Sequence, residues 1–129
     1  MDVITSSQEV LAISFTQQFE VTKSMWGGLK VTTLAYEYAV EDSDGHEILA
    51  YHWHPHQSDF TFPHLHVCHG AGTGLRDEIR KIHFRTDRMA FEDFGLQLIR
   101  DFGVVPDRED AESILEANLA KFTAHRTWK

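Results

Sequence analysis

The sequence predicts an α+β fold: a mainly antiparallel sheet of about five strands, with two C-terminal helices packed on one face. Three observations lead there. Apolar and polar residues alternate through much of the first two thirds of the chain, the period of a half-buried strand. From residue 91 onward the apolar positions recur every three or four residues, the period of a helix. Strands come first and helices last, without the strand–helix alternation of a parallel sheet. At 129 residues the chain reads as a single domain, 1–129, large enough for a core that needs neither disulfide nor metal.

Leu11, Ile13 and Phe15 alternate within residues 9–22 and mark the first strand. Met25-Trp26-Gly27-Gly28 supplies a turn, its glycines free to take positive φ. Leu34, Tyr36, Tyr38 and Val40 alternate with small or polar residues across 29–41, the clearest strand. Asp42-Ser43-Asp44-Gly45 closes a hairpin onto residues 46–54, because Asp-Gly suits the left-handed angles of tight hairpins. Pro55 and Pro63 bracket a loop, since proline cannot donate to a ladder. Residues 64–69 form a short fourth strand, Gly70-Ala71-Gly72-Thr73-Gly74 a flexible connection, and 79–86 a fifth strand. Phe91, Phe94, Leu98, Ile99 and Phe102 then share one helix face, with Glu92 and Asp93 at its N-terminal end and Arg100 at its C-terminal end to complement the dipole. Gly103 and Pro106 end it. Asp107 caps a second helix with the apolar stripe Ala111, Ile114, Leu115, Leu119 and Phe122.

The formal charge of −8 excludes a protein that coats nucleic acid without sequence preference, while leaving room for a local basic patch. The single cysteine, Cys68, excludes an internal disulfide and fits a cytoplasmic setting. The first residues lack the basic segment and apolar run of a signal peptide. No stretch reaches the length of a membrane span, so no membrane association is expected.

Six of the nine histidines fall in residues 52–69. Histidine titrates nearest neutrality and is the commonest metal ligand, so this density points to proton transfer, anion binding or metal binding. Alternation sorts the side chains. Leu49, Tyr51 and Trp53 share a face, with His52 and His54 opposite. Leu65 and Val67 share a face, with His64, His66 and Cys68 opposite. Ile82 and Phe84 share a face, with Lys81, His83 and Arg85 opposite. The apolar sets are expected in the core; the histidines gather on the other face.

Three chemistries compete for that face. In a metal-free acid/base site, His64 and His66 exchange protons while Arg85 and Arg88 hold a phosphate-containing substrate; this reading expects no cofactor. In a metal site, a divalent ion such as zinc is held by His52, His54, His64 and His66, or by two histidines from adjacent strands with Cys68 or Asp59 completing the set. Third, the face is a protein-binding surface. The ordinary reading of a polar outer sheet face stands beside all three. Gly70-x-Gly72-x-Gly74 lacks the spacing of a phosphate-binding loop. Trp26, Trp53 and Trp128 are candidates for base stacking, with core packing the default.

The order Pro63-His64-Leu65-His66-Val67, then Arg85-Thr86-Asp87-Arg88, then the helix from Phe91-Glu92-Asp93 through Leu98-Ile99, resembles a group of small prokaryotic proteins related to the TumE-like toxins of toxin–antitoxin modules. It covers about residues 47–103. The resemblance implies a small cytosolic toxin-like protein acting on RNA beside an antitoxin-like partner, with His64, His66 and Arg88 at the functional positions.

Overall fold

The computed structural model describes residues 1–57, 59–72 and 77–126. Thr73, Gly74 and Trp128, singled out in the sequence, lie outside these described residues. Among the described residues the elements are β1 (Asp2–Ile4), β2 (Val10–Lys23), β3 (Leu29–Glu41), β4 (Glu47–Trp53), β5 (His64–Val67), β6 (Phe84–Arg85), α1 (Phe91–Arg100) and α2 (Ala111–His125), with short 3-10 turns at His69–Ala71 and Asp77–Lys81. The sheet has six strands in sequential order, and the pairs from β2 to β6 are antiparallel. The fold is therefore α+β, with one strand more than expected: the extra one is β1.

The chain divides into two compact units: Met1 with Ala12–Arg88, and Asp2–Leu11 with Met89–Lys129. In the first unit, Gly27 and Gly45 take the positive φ angles (86° and 82°) that the two hairpin turns need. The Asp42 carboxylate braces the second turn by accepting from the Asp44 and His46 backbone N–H groups, each at 2.9 Å. Directly opposed residues point to the same side of a sheet, so the register defines its faces. One face carries Ile13, Tyr36, Tyr38, Val40 and Tyr51, all buried, together with Leu49, Trp53, Leu65 and Val67. Tyr36 and Tyr38 stack in parallel, centroids 4.7 Å apart. This is the apolar set that alternation predicts for β3 to β5, apart from Leu34, which is exposed.

Two expectations fail. Residues 79–86 do not form one strand. Asp77-Glu78-Ile79-Arg80-Lys81 close a 3-10 turn with acids first and bases last, an order that suits the helix dipole, and only Phe84 and Arg85 pair with β5. Ile82 and Phe84, expected in the core, are consequently exposed. The outer part of the β2–β3 hairpin is also uncovered. β3 pairs with β4 only from Tyr36 onward, so the remainder is a two-stranded ribbon. A one-residue shift between Gln18 and Phe19 keeps Phe19, Val21, Val31 and Leu29 on one side, and all four are exposed. At its tip Trp26 is 94% exposed, so this tryptophan does not pack in a core. Trp53, by contrast, is half-buried.

In the second unit, α1 buries Phe94, Leu96 and Leu98. The Asp93 carboxylate accepts from the Ala90 N–H at 3.1 Å, one half of a capping box; alanine has no side-chain acceptor to return it. Gly95 admits the second helix: a Cβ there would lie 3.1 Å from Leu115 Cδ1. Arg100 binds Glu112 and Glu116 across the pair. The α2 N-cap is Asp110 rather than Asp107, and its side chain makes no capping bond. Arg108 claims that carboxylate instead, in a two-pronged contact at 2.9 Å per bond. Thr5 bridges to Val104, which ties the N-terminal segment to the chain after α1. Among the described residues, no helix is long and apolar enough to cross a membrane.

Candidate metal centre on the histidine face

The face opposite the tyrosines is organised in rows running across the strands. Glu37 on β3 is opposed to His52 on β4, His52 to His64 on β5, and His64 to Arg85 on β6. The next row is Ala39, Ala50 and His66. Both alanines are buried, and their small side chains leave the His66 ring space beside its neighbours. His83 joins from the segment between the 3-10 turn and β6. Ring centroids lie 5.6 Å apart for His52 and His64, 5.0 Å for His52 and His66, 5.0 Å for His64 and His66, and 4.4 Å for His66 and His83. Phe60 stacks on the His83 ring, centroids 3.7 Å apart and planes within 14°, and shields that side from water.

The nitrogens are set up as electron-pair donors. His64 is buried, 3% exposed, with its Nδ1 3.0 Å from the Phe62 carbonyl oxygen. A carbonyl only accepts, so Nδ1 carries the proton and Nε2 keeps its lone pair. Holding one ring N–H on a backbone carbonyl while the other nitrogen faces the site is the usual support of a metal-bound histidine. The Arg80 backbone lies close enough to His66 to work weakly against the fall in its pKa. The His52 Nε2 is buried with no hydrogen-bond partner among the described residues. Burial pushes all three pKa values down. For His52 the Glu37 carboxylate works against it, and for His64 the Phe62 carbonyl does. For His66, burial and then the charges of His52, His83 and His64 lower the value to about 4. All three rings are therefore neutral at neutral pH.

Ligand atoms of His52, His64 and His66 lie within 4.8 Å of one another. A tetrahedral ion with metal–nitrogen bonds of about 2.0–2.1 Å needs ligands about 3.4 Å apart, a closure that small side-chain rotations provide. Three protein ligands leave further coordination positions for water or substrate, the arrangement of catalytic rather than structural zinc.

Comparison with protein-family models, curated proteins and solved structures gives no match for this chain.

The structure brings His52, His64 and His66 together, places His54 at the rim with His52, centroids 5.7 Å apart, and sets Arg85 beside His64 by register. The Arg85 guanidinium lies 4.7 Å from the Phe62 ring centroid. Arg88 is elsewhere. Its guanidinium covers the Trp53 ring at 3.8 Å and donates to the Thr33 carbonyl at 3.2 Å, and Trp53 belongs to the tyrosine face. Cys68 donates to Glu47 Oε1 at 3.1 Å. Burial, reinforced by that carboxylate, pushes its thiol up to about 12, so it is a poor source of thiolate for a metal. Among the described residues, Asp59 belongs to no ligand cluster; it lines an open depression with His56, Gln57 and Phe60. Sequence reasoning missed Glu37. Its only signal is the alternation of β3, which puts it on the side away from Tyr36 and Tyr38.

Proposed function

We propose that this protein binds a divalent transition metal, zinc by ligand chemistry, through His52, His64 and His66. One observation carries the reading. Three neutral imidazoles from two adjacent strands converge with ligand atoms within 4.8 Å of one another, and His64 has its Nδ1 committed to the Phe62 carbonyl. Neutral nitrogen donors suit zinc, copper or nickel rather than magnesium or calcium. The test is metal content and affinity at neutral pH after chelation and reloading. His66→Ala should weaken zinc binding by at least about 100-fold, more than the loss of a supporting group would. Wild-type affinity in both His64→Ala and His66→Ala would overturn the proposal.

A second reading rests on Arg85. An ion on the three histidines supplies Lewis-acid chemistry at its open positions, and Arg85, in the same row, supplies a grip for a phosphate oxygen. Phosphodiester cleavage in RNA is the chemistry these groups fit, and it is compatible with the toxin-like role beside an antitoxin-like partner that the sequence resemblance implies. Metal-free exchange of protons between His64 and His66 is less well served, because both values are lowered and neither ring is a ready acid at neutral pH. If this reading holds, metal-loaded protein degrades RNA and Arg85→Ala is impaired with metal binding intact. Loaded, folded protein that leaves RNA untouched removes it.

A further inference from the structure

A second group lies along the same row. Glu37 Oε2 is 3.8 Å from His52 Nε2 and 3.7 Å from His54 Nε2. Neither contact is a hydrogen bond. The three ligand atoms lie within 4.8 Å of one another. Two ring nitrogens thus point at one carboxylate oxygen from beyond hydrogen-bonding range, near the roughly 3.4 Å separation that ligands of one small ion adopt. The His54 Nδ1 is buried without a hydrogen-bond partner among the described residues, so the ring gains little from its present surroundings. The Glu37 side chain is 46% exposed, which leaves this position open to water and to an arriving ion. The donor set of two imidazoles and a carboxylate is one that zinc takes in catalytic sites.

We infer that the histidine face holds two metal ions, the second bound by Glu37, His54 and His52 next to the three-histidine centre. This rests on the proposed centre only through His52, which belongs to both groups. An imidazole has two nitrogens: Nε2, the one near Glu37, serves the second ion, which leaves Nδ1 for the three-histidine centre. Serving both, the ring gives up its remaining N–H proton to solvent, and each of the two lone pairs of the resulting imidazolate forms one metal bond.

Zinc titration of metal-free protein with calorimetric readout tests it, with circular dichroism as the check on folding. Wild type should take up two equivalents. Glu37→Gln replaces a half-exposed carboxylate by a group of the same shape; it should take up one. His66→Ala should instead damage the three-histidine centre and spare the Glu37 position. One equivalent in both wild type and Glu37→Gln, with equal affinity, overturns the second position and leaves the three-histidine centre standing. Two equivalents lost on Glu37→Gln but untouched by His64→Ala and His66→Ala would overturn the first centre instead. No uptake by wild type overturns both.

Discussion

Acid should destabilise the metal-free protein through His66, and the size of the effect follows from its surroundings. An unfolded histidine titrates near 6.5, whereas burial and three neighbouring imidazoles hold the folded His66 near 4. The unfolded chain therefore binds a proton that the folded chain refuses. Stability is intact above about pH 6.5, falls as pH drops toward 4, and loses nothing further from this residue below that. The whole displacement would be worth ~3 kcal/mol, but the ring is only half-buried, and solvent screening reduces the expectation to about 1–2 kcal/mol. His52 and His64 are shifted in the same direction and add to the slope. Urea denaturation in the presence of a chelator, from about pH 7.5 to about pH 4.5, measures it. His66→Gln should lose about 1–2 kcal/mol less than wild type across that range. Parallel losses in the two proteins would refute the claim that His66 is held neutral by its packing. Zinc at about a hundred times its dissociation constant should add about 2.7 kcal/mol near neutral pH.

Two further predictions test the packing around the site. Gly70→Ala should cost about 2–3 kcal/mol by thermal or urea denaturation, because a Cβ there would fall 2.6 Å from the His46 carbonyl oxygen and 2.7 Å from that of Glu47; an unchanged midpoint would show that the turn shifts freely. Cys68, held up near 12 by burial and Glu47, should react with a thiol reagent near pH 8 at least about 100-fold more slowly in the folded protein than after denaturation, and equal rates would contradict its placement.

Much of the histidine face was legible because period-two alternation depends only on the pleat. His52 and His54, and His64 and His66, fall on the side away from Leu49, Tyr51, Leu65 and Val67 whatever the sheet does further away. Helix α1 was legible for a similar reason, although Leu96 was not: it lies across the helix from Phe94 and Leu98, and the periodic stripe excludes it. The segment 79–86 misled because isolated apolar positions, Ile82 and Phe84, mimic alternation. The preceding charges favour a 3-10 turn there. Arg88 looked like part of an anion site because it is near Arg85 in sequence, yet its planar cation found the aromatic ring of Trp53 on the opposite face.

Local composition and period by themselves determined that this chain forms an antiparallel sheet followed by two helices and that one sheet face gathers histidine. Register, which only the tertiary structure decides, determined what those histidines meet. The hairpin between β3 and β4 begins by pairing Glu41 with Glu47, and a bulge between Val40 and Glu41 then shifts every later pair by one residue. Without that bulge Glu37 would oppose Tyr51, on the apolar face; with it, Glu37 opposes His52 and heads the row that ends at Arg85. A one-residue slip exchanges the two faces of a strand. Its cost is set by long-range burial of Tyr36, Tyr38 and Tyr51 rather than by the turn residues, so the carboxylate of the site becomes visible only once the sheet is assembled.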